Sequence, residues 1–268
     1  MQSSTAVRAA TWLRDTQPAG ITTLARDLSL SRTSVENALA VLEGHDLVVG
    51  VPGRPHGAGR PARHFAFHAA SGLVAGIDIG VYSLRVVVAD LAGTTMVAST
   101  SEGVDPSLGP AEQLDVVIRQ LRDTLAGLDP RQLRAIGISL PGIVDGAGNV
   151  VASVIFPTWV GFDLVGELGD RFGCPVVIDN GVRLATVAEH HMGSGRRFDD
   201  VLYLSVGARV AAGLILGGQP RRGAHNVAGD IGRVAFRGIN ERTGQIRWRC
   251  ANTAKKVFEL ARGHDAQA

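Results

Sequence analysis

ITTLARDLSLSRTSVENALAVL, residues 21–42, carries the pattern of a helix, a tight turn and a second helix. Leu24 and Leu28 lie four apart on one helical face, with the small Ala25 beside them where two helices must approach. Ser29 falls at the turn, and Leu30 is expected to be buried beneath it. Val35, Ala38, Leu39 and Leu42 then repeat at helical spacing as the inner face of the next helix. Ser31 suits its N-cap, although position 34 lacks the Glu of a full capping box. Arg32, Thr33, Ser34, Glu36 and Asn37 are left outward. Arg and Asn are shaped to read guanine and adenine edges, and Ser and Thr suit phosphates. The segment is therefore expected to be a helix-turn-helix that meets double-stranded DNA through Ser31, Arg32, Thr33, Ser34 and Asn37.

The flanks extend this reading. A helix rich in Ala, Val and Leu is expected over 4–14, covering the back of the pair. After Gly44 come LVVGV at 47–51, the loop PGRPHGAGRPAR at 52–63, and HFAF at 64–67. Two short strands joined by a loop make a wing. The loop sets Arg54, Arg60 and Arg63 among Gly and Pro, with no acid between 54 and 63. It cannot form a core, but guanidinium groups so placed suit a narrow minor groove. A solvated linker with incidental arginines is the alternative, and some helix-turn-helix pairs only dimerise; the arginine-bearing wing argues for DNA contact. Residues 1–68 thus read as a winged helix-turn-helix domain.

The bulk numbers limit the alternatives. A chain of 268 residues holds one large or two to three small domains. The net charge is only +2, so any charge for nucleic acid must be concentrated locally. Cys174 and Cys250 make no disulfide framework and no four-thiolate site. No charged segment followed by an apolar stretch opens the chain, and the apolar run at 201–216 is interrupted by Arg209. A cytoplasmic protein with no membrane contact is expected.

From residue 72 the pattern changes. GLVAGIDIGVYSLRVVVAD at 72–90 reads as two β-rich runs around an Asp-Ile-Gly turn. A helix is expected at 110–127, strands at 135–142 and 175–180, a helix through Ala185 and Ala188, and a hairpin of 201–207 with 211–218. Strands alternating with helices, with hairpins at intervals, indicate an α/β domain with a mixed sheet.

These residues resemble the ROK family, which joins sugar-responsive repressors and sugar kinases. GAGRPARHFAFHAASGLVAGIDIG at 57–80 resembles the junction between the DNA-binding and sugar-binding parts of its repressors. LPGIVDGAG at 140–148 is similar to its Pro-Gly-x-Val-Asp turn. PTWVGFDL at 157–164 is similar to the segment that closes over sugar, and RRGAHNVAGDIGR at 221–233 to its Gly-x-x-Gly-Glu-x-Gly-His stretch. The resemblance implies an actin-like ATPase, ribonuclease H-like fold of two lobes with a cleft between. It divides the chain at 72–190 for the first lobe and 191–268 for a second lobe that is incomplete where the chain stops at Ala268.

Departures from the family pattern bear on function. Its kinases carry Asp-x-Gly-Gly-Thr, where this chain has Asp78-Ile79-Gly80-Val81-Tyr82, and the second phosphate loop reads Gly207-Ala208-Arg209-Val210-Ala211-Ala212-Gly213. The kinase general base, the Asp of Asn-Asp-x-Asn, is replaced in Asn180-Gly181-Val182-Arg183. General-base help is worth about 10²–10⁴-fold, so no catalytic residue and no phosphoryl transfer are expected. The family's zinc histidine is Arg233 here and only Cys250 lies downstream, so no metal or other cofactor is expected. His225 and the His190–His191 pair lack a third ligand at suitable spacing.

If a sugar or sugar derivative binds as effector, the resemblance assigns it to Trp159, Asn180, Asp230 and Arg233; otherwise Trp159 is core and the others are turn and loop residues. Three functions follow: a homodimeric repressor with a sugar-sensing ROK part, a DNA-binding protein whose ROK part only dimerises, and a sugar kinase with an added DNA-binding domain. The first fits the residues best, and the lost base makes the last fit least.

Overall fold

Alternating burial along short strands and four-residue spacing along helices organise two separate cores in the computed structural model. It describes residues 2–16, 18–52, 63–129, 132–206 and 210–231. In the first part, α1 (Gln2–Asp15), β1 (Ala19–Gly20), α2 (Ile21–Asp27) and α3 (Arg32–Gly44) precede the hairpin strands β2 (Val48–Pro52) and β3 (Arg63–Phe67). The three strands pair antiparallel in the order β1-β3-β2. Ala9, Leu13, Leu24, Val35, Leu39, Leu42, Val48 and Phe65 close one core between them. Leu30 is half-buried against this core rather than fully covered. Ser29 carries the α2–α3 turn at φ 53, a left-handed conformation that side chains adopt at a cost.

A 3-10 turn at Ala69–Ser71 leads to the second part. Its strands and helices run β4 (Leu73–Ile79), β5 (Leu84–Asp90), β6 (Thr95–Ser101), α4 (Pro110–Thr124), β7 (Leu133–Leu140), β8 (Ile143–Val144), β9 (Val150–Ala152), α5 (Leu164–Phe172), β10 (Val176–Asn180), α6 (Gly181–His191), β11 (Val201–Val206), β12 (Val210–Leu216) and β13 (Gln219–Pro220). The main sheet has the order β10-β7-β4-β5-β6. β10, β7 and β4 are parallel, and β4, β5 and β6 are antiparallel neighbours. Leu73, Ala75, Ile77 and Ile79 alternate onto one face with Leu84, Val86 and Val88, and α4 covers them with Leu114, Val117, Ile118 and Leu121. β11, β12 and β13 form a separate antiparallel sheet.

Three local expectations are adjusted. Asp78 and Ile79 end a strand instead of forming the turn, which lies between Ile79 and Leu84. The 110–127 helix ends at Thr124. β6 and α5 were not anticipated: α5 carries Gly166 and Gly169, which weaken a helical pattern, but Asp163 caps it by accepting the Gly166 N–H at 2.8 Å and Gly173 ends it at φ 65. Among the described residues, no helix is long and apolar enough to cross a membrane.

Two substitutions test this packing. Leu39→Ala removes a side chain that is 1% exposed, and it should lower stability by about 2–5 kcal/mol in urea unfolding. Ser29→Val puts a β-branched residue into the left-handed turn and should cost about 1–2 kcal/mol in the same measurement.

Candidate nucleic-acid interface and cleft

α3 turns its apolar residues inward and its polar ones out. Val35, Ala38, Leu39 and Leu42 are buried; Arg32, Thr33, Glu36 and Asn37 are exposed, and Ser34 is half-buried. Ser31 caps the helix, its Oγ accepting the Ser34 N–H at 3.1 Å and sharing a 2.8 Å bond with the Ser34 hydroxyl. Arg32 donates its Nε–H to Glu36 Oε1 at 2.9 Å. The charges on α3 oppose its dipole: Arg32 is its first residue and Glu43 lies in its last turn. Each such placement is unfavourable by about 0.3–1 kcal/mol, unless an outside charge answers it. Arg63 answers Glu43. Glu36 answers Arg32, whose side chain is two-thirds exposed.

The structure places Arg63 differently from the loop position expected of it. Arg63 opens β3, paired with Pro52, and its guanidinium lies 4.9 Å from the Phe65 ring centre while bonded to Glu43. Gly50 makes room, since a Cβ there would fall 2.5 Å from Arg63 Nε. Arg54 and Arg60 lie outside the described residues.

A cleft of about 340 Å³ opens where β4, β7 and β10 end, with β12 and residues 226–230 on its far side. Asp78, Ser139, Asn180, Gly181, Arg183 and Asp230 are among its lining residues. Ser139 Oγ donates to Asp78 Oδ1 at 2.6 Å. Asn180 both lines the cleft and caps α6: its Oδ1 accepts the Val182 and Arg183 N–H groups, and its Nδ2 donates to the Gly142 carbonyl at 2.8 Å. At Gly181 a Cβ would stand 2.9 Å from Ser139 Oγ, so the hydroxyl occupies space that a side chain there would need. The Gly80 N–H, in the first phosphate-type turn, is already donated to the Ser83 carbonyl at 3.0 Å. Residues 207–209 of the second lie outside the described residues.

Trp159 is corrected. Its side chain is fully buried and stacks on Phe156 with ring centres 4.9 Å apart, inside the main core and away from the cleft lining, so it offers no face to a sugar. Asn180 and Asp230 do share the cleft, and Arg233 lies outside the described residues, as does Cys250. His190 and His191 meet the backbone carbonyls of Phe198 and Val187.

Sequence reasoning missed the charge cluster behind the cleft. Asp179, 7% exposed, meets Arg222 Nη2 at 2.7 Å and Arg183 Nη1 at 3.3 Å, and Arg183 Nη2 donates to the Asn226 carbonyl at 3.1 Å. Burial pulls the Arg183 guanidinium below its ordinary value while the Asp179 charge pushes it back up. No helical spacing marks the pair in the sequence, because Asp179 ends strand β10 and Arg183 lies in the first turn of α6; the turn at Asn180 brings them together. These contacts tie β10 and α6 to the segment after β13. Asp179→Ala would leave Arg183 buried without its carboxylate and should cost about 3–5 kcal/mol in urea unfolding. Asp179→Ala combined with Arg183→Met should recover much of that loss; equal costs for the single and double variants would show that the pair is not the cause.

Comparison with known proteins agrees with this architecture. A model of the ROK family matches residues 74–258. The xylose repressor of Caldicellulosiruptor bescii is 27% identical over 223 residues, covering 80% of this chain and 54% of that protein. A glucokinase of Streptomyces coelicolor is 27% identical over 163 residues, covering 61% of this chain and 50% of that protein. The chain spans about half the length of the curated relatives it matches. A crystal structure of a ROK family transcriptional regulator, a homologue of the E. coli MLC protein, superposes at TM-score 0.77 with 19% identity, over 100% of this chain and 69% of that one, and so shares its fold. On the family match, which takes in more than half of its residues, this chain belongs to the ROK family.

Proposed function

We propose that the chain is a sequence-specific DNA-binding transcriptional regulator, a repressor of sugar or related metabolism, whose ROK part senses and does not catalyse. The observation that carries the reading is the exposed start of α3, where Arg32, Thr33 and Asn37 stand out from a helix otherwise packed against α1, α2 and the three-stranded sheet. The repressor names among its relatives support it. In this reading 1–68 is the DNA-binding domain, 72–190 the first ROK lobe and 191–268 part of the second. Ser31, Arg32, Thr33, Ser34 and Asn37 approach the major groove, and Arg54, Arg60 and Arg63 follow the wing. A homodimer on an inverted repeat supplies the two half-sites that one recognition helix cannot. The protein works in the cytoplasm.

In this reading Asn180 and Asp230 of the cleft contact the effector, and Arg233 is a further effector-binding residue. A second reading, in which the ROK part only dimerises, is favoured by the burial of Trp159 and the engagement of both ends of the Asn180 amide. Binding of a panel of sugars measured by calorimetry separates the two. The kinase reading is opposed by Gly181, which offers no base beside Ser139.

Two sets of measurements test the proposal. Arg32→Ala or Asn37→Ala should weaken operator binding by about 1–3 kcal/mol where a bidentate base contact is lost. Arg60→Ala should weaken it across sequences with a shallower salt dependence. Unchanged affinity for both Arg32→Ala and Arg60→Ala overturns the DNA assignment. Incubation with ATP, magnesium and hexoses should yield no phosphorylated sugar above buffer; turnover abolished by Asp78→Asn would restore the kinase.

A further inference from the structure

Arg32 and Glu36 stand one turn apart on the open face of α3, joined by the 2.9 Å bond from Arg32 Nε to Glu36 Oε1. This pair adds little to helix stability. The favourable order for charges four apart puts the acid first, and here the arginine comes first. An arginine as the first residue of a helix also works against the dipole. Nor does packing hold the two side chains, which are 67% and 44% exposed.

What the contact does is orient. A guanidinium carries five N–H donors in a rigid planar fork. The carboxylate takes the Nε–H edge and fixes the plane of the fork. The two terminal Nη groups meet no acceptor among the described residues, and a pair of N–H groups so spaced matches O6 and N7 of guanine. Glu36 also sets a negative charge on the face that a phosphate backbone would approach, which lowers affinity for DNA of the wrong sequence.

We infer that Glu36 is a positioning residue for base readout: it aims Arg32 at one guanine and weakens non-specific binding at the same time. The inference rests on the DNA-reading role proposed for α3. Full-length wild-type chain, Arg32→Ala, Glu36→Ala and Glu36→Gln are each used to select sites from a random double-stranded oligonucleotide pool, with affinity for unselected pool DNA measured alongside. Arg32→Ala should abolish the preference at one base pair. Glu36→Ala should lower the preference at that same pair by roughly tenfold, within the range of one bidentate contact, while affinity for unselected DNA holds or rises. Glu36→Gln keeps an acceptor oxygen for Nε–H and should retain an intermediate preference. The inference is overturned by Glu36→Ala that leaves this preference intact, or that alters a different base pair instead, as a glutamate reading cytosine itself would. Loss of no preference at any position on Arg32→Ala would overturn the DNA-reading role beneath it.

Discussion

Parallel pairing of β10, β7 and β4 is the constraint from which the cleft follows. The register sets Asp78 beside Ser139 and Ser139 beside Asp179, so three strands end at one level and turn their last polar side chains to the same edge. Open α/β sheets hold ligands at the carboxyl ends of their strands for this reason. Asn180 completes the arrangement, since it is both the last residue of β10 and the cap of α6. A one-residue slip of β10 would turn Asp179 away from its arginines and carry the start of α6 with it.

At the other end of the molecule the same economy holds on a smaller scale. The Ser29 turn sets the angle between α2 and α3, and the buried face of α3 leaves Arg32, Thr33, Glu36 and Asn37 of its first turns outside the core. Gly50, Arg63 and Glu43 then lock the end of α3 to the hairpin strands β2 and β3. The connection to the sheet is held by backbone and side chain together: Leu91 N–H meets the Ala69 carbonyl, and Arg134 reaches the Ser71 carbonyl. The part that faces DNA in the proposed function is thus joined to the cleft through β5 and β7, the strands next to β4.

Much of this was legible before the structure. Leu24, Val35, Ala38, Leu39 and Leu42 lie where their spacing put them, because helical periodicity reports which face is covered. The strands around Ile77, Val86 and Ile138 were equally plain, since alternation reports a sheet with one face on the core. Trp159 stood between a sugar wall and core, because an indole in a Pro-Thr-Trp turn looks the same in sequence whether its face meets a ligand or Phe156. The Arg222 contact to Asp179 was beyond reach, joining residues 43 apart, and only the path of the chain brings them together. Arg63 was placed in a loop because Pro52 and Gly53 suggest one, yet strand pairing continues to Pro52 itself, which a proline can end but need not precede.

One strand has a consequence beyond its own sheet. Among the described residues β11 is an outer strand of the β11-β12-β13 sheet, and Leu202, Leu204 and Val206 alternate along one exposed side of it. Its other side faces α6, where Gly213, the partner of Tyr203, abuts Thr186. An outer strand with an apolar face is a template onto which another strand can add. A net charge of +2 gives little long-range repulsion to keep two such surfaces apart. Among the described residues, Leu202, Leu204 and Val206 thus form an apolar row beside a strand edge that overall charge does little to shield.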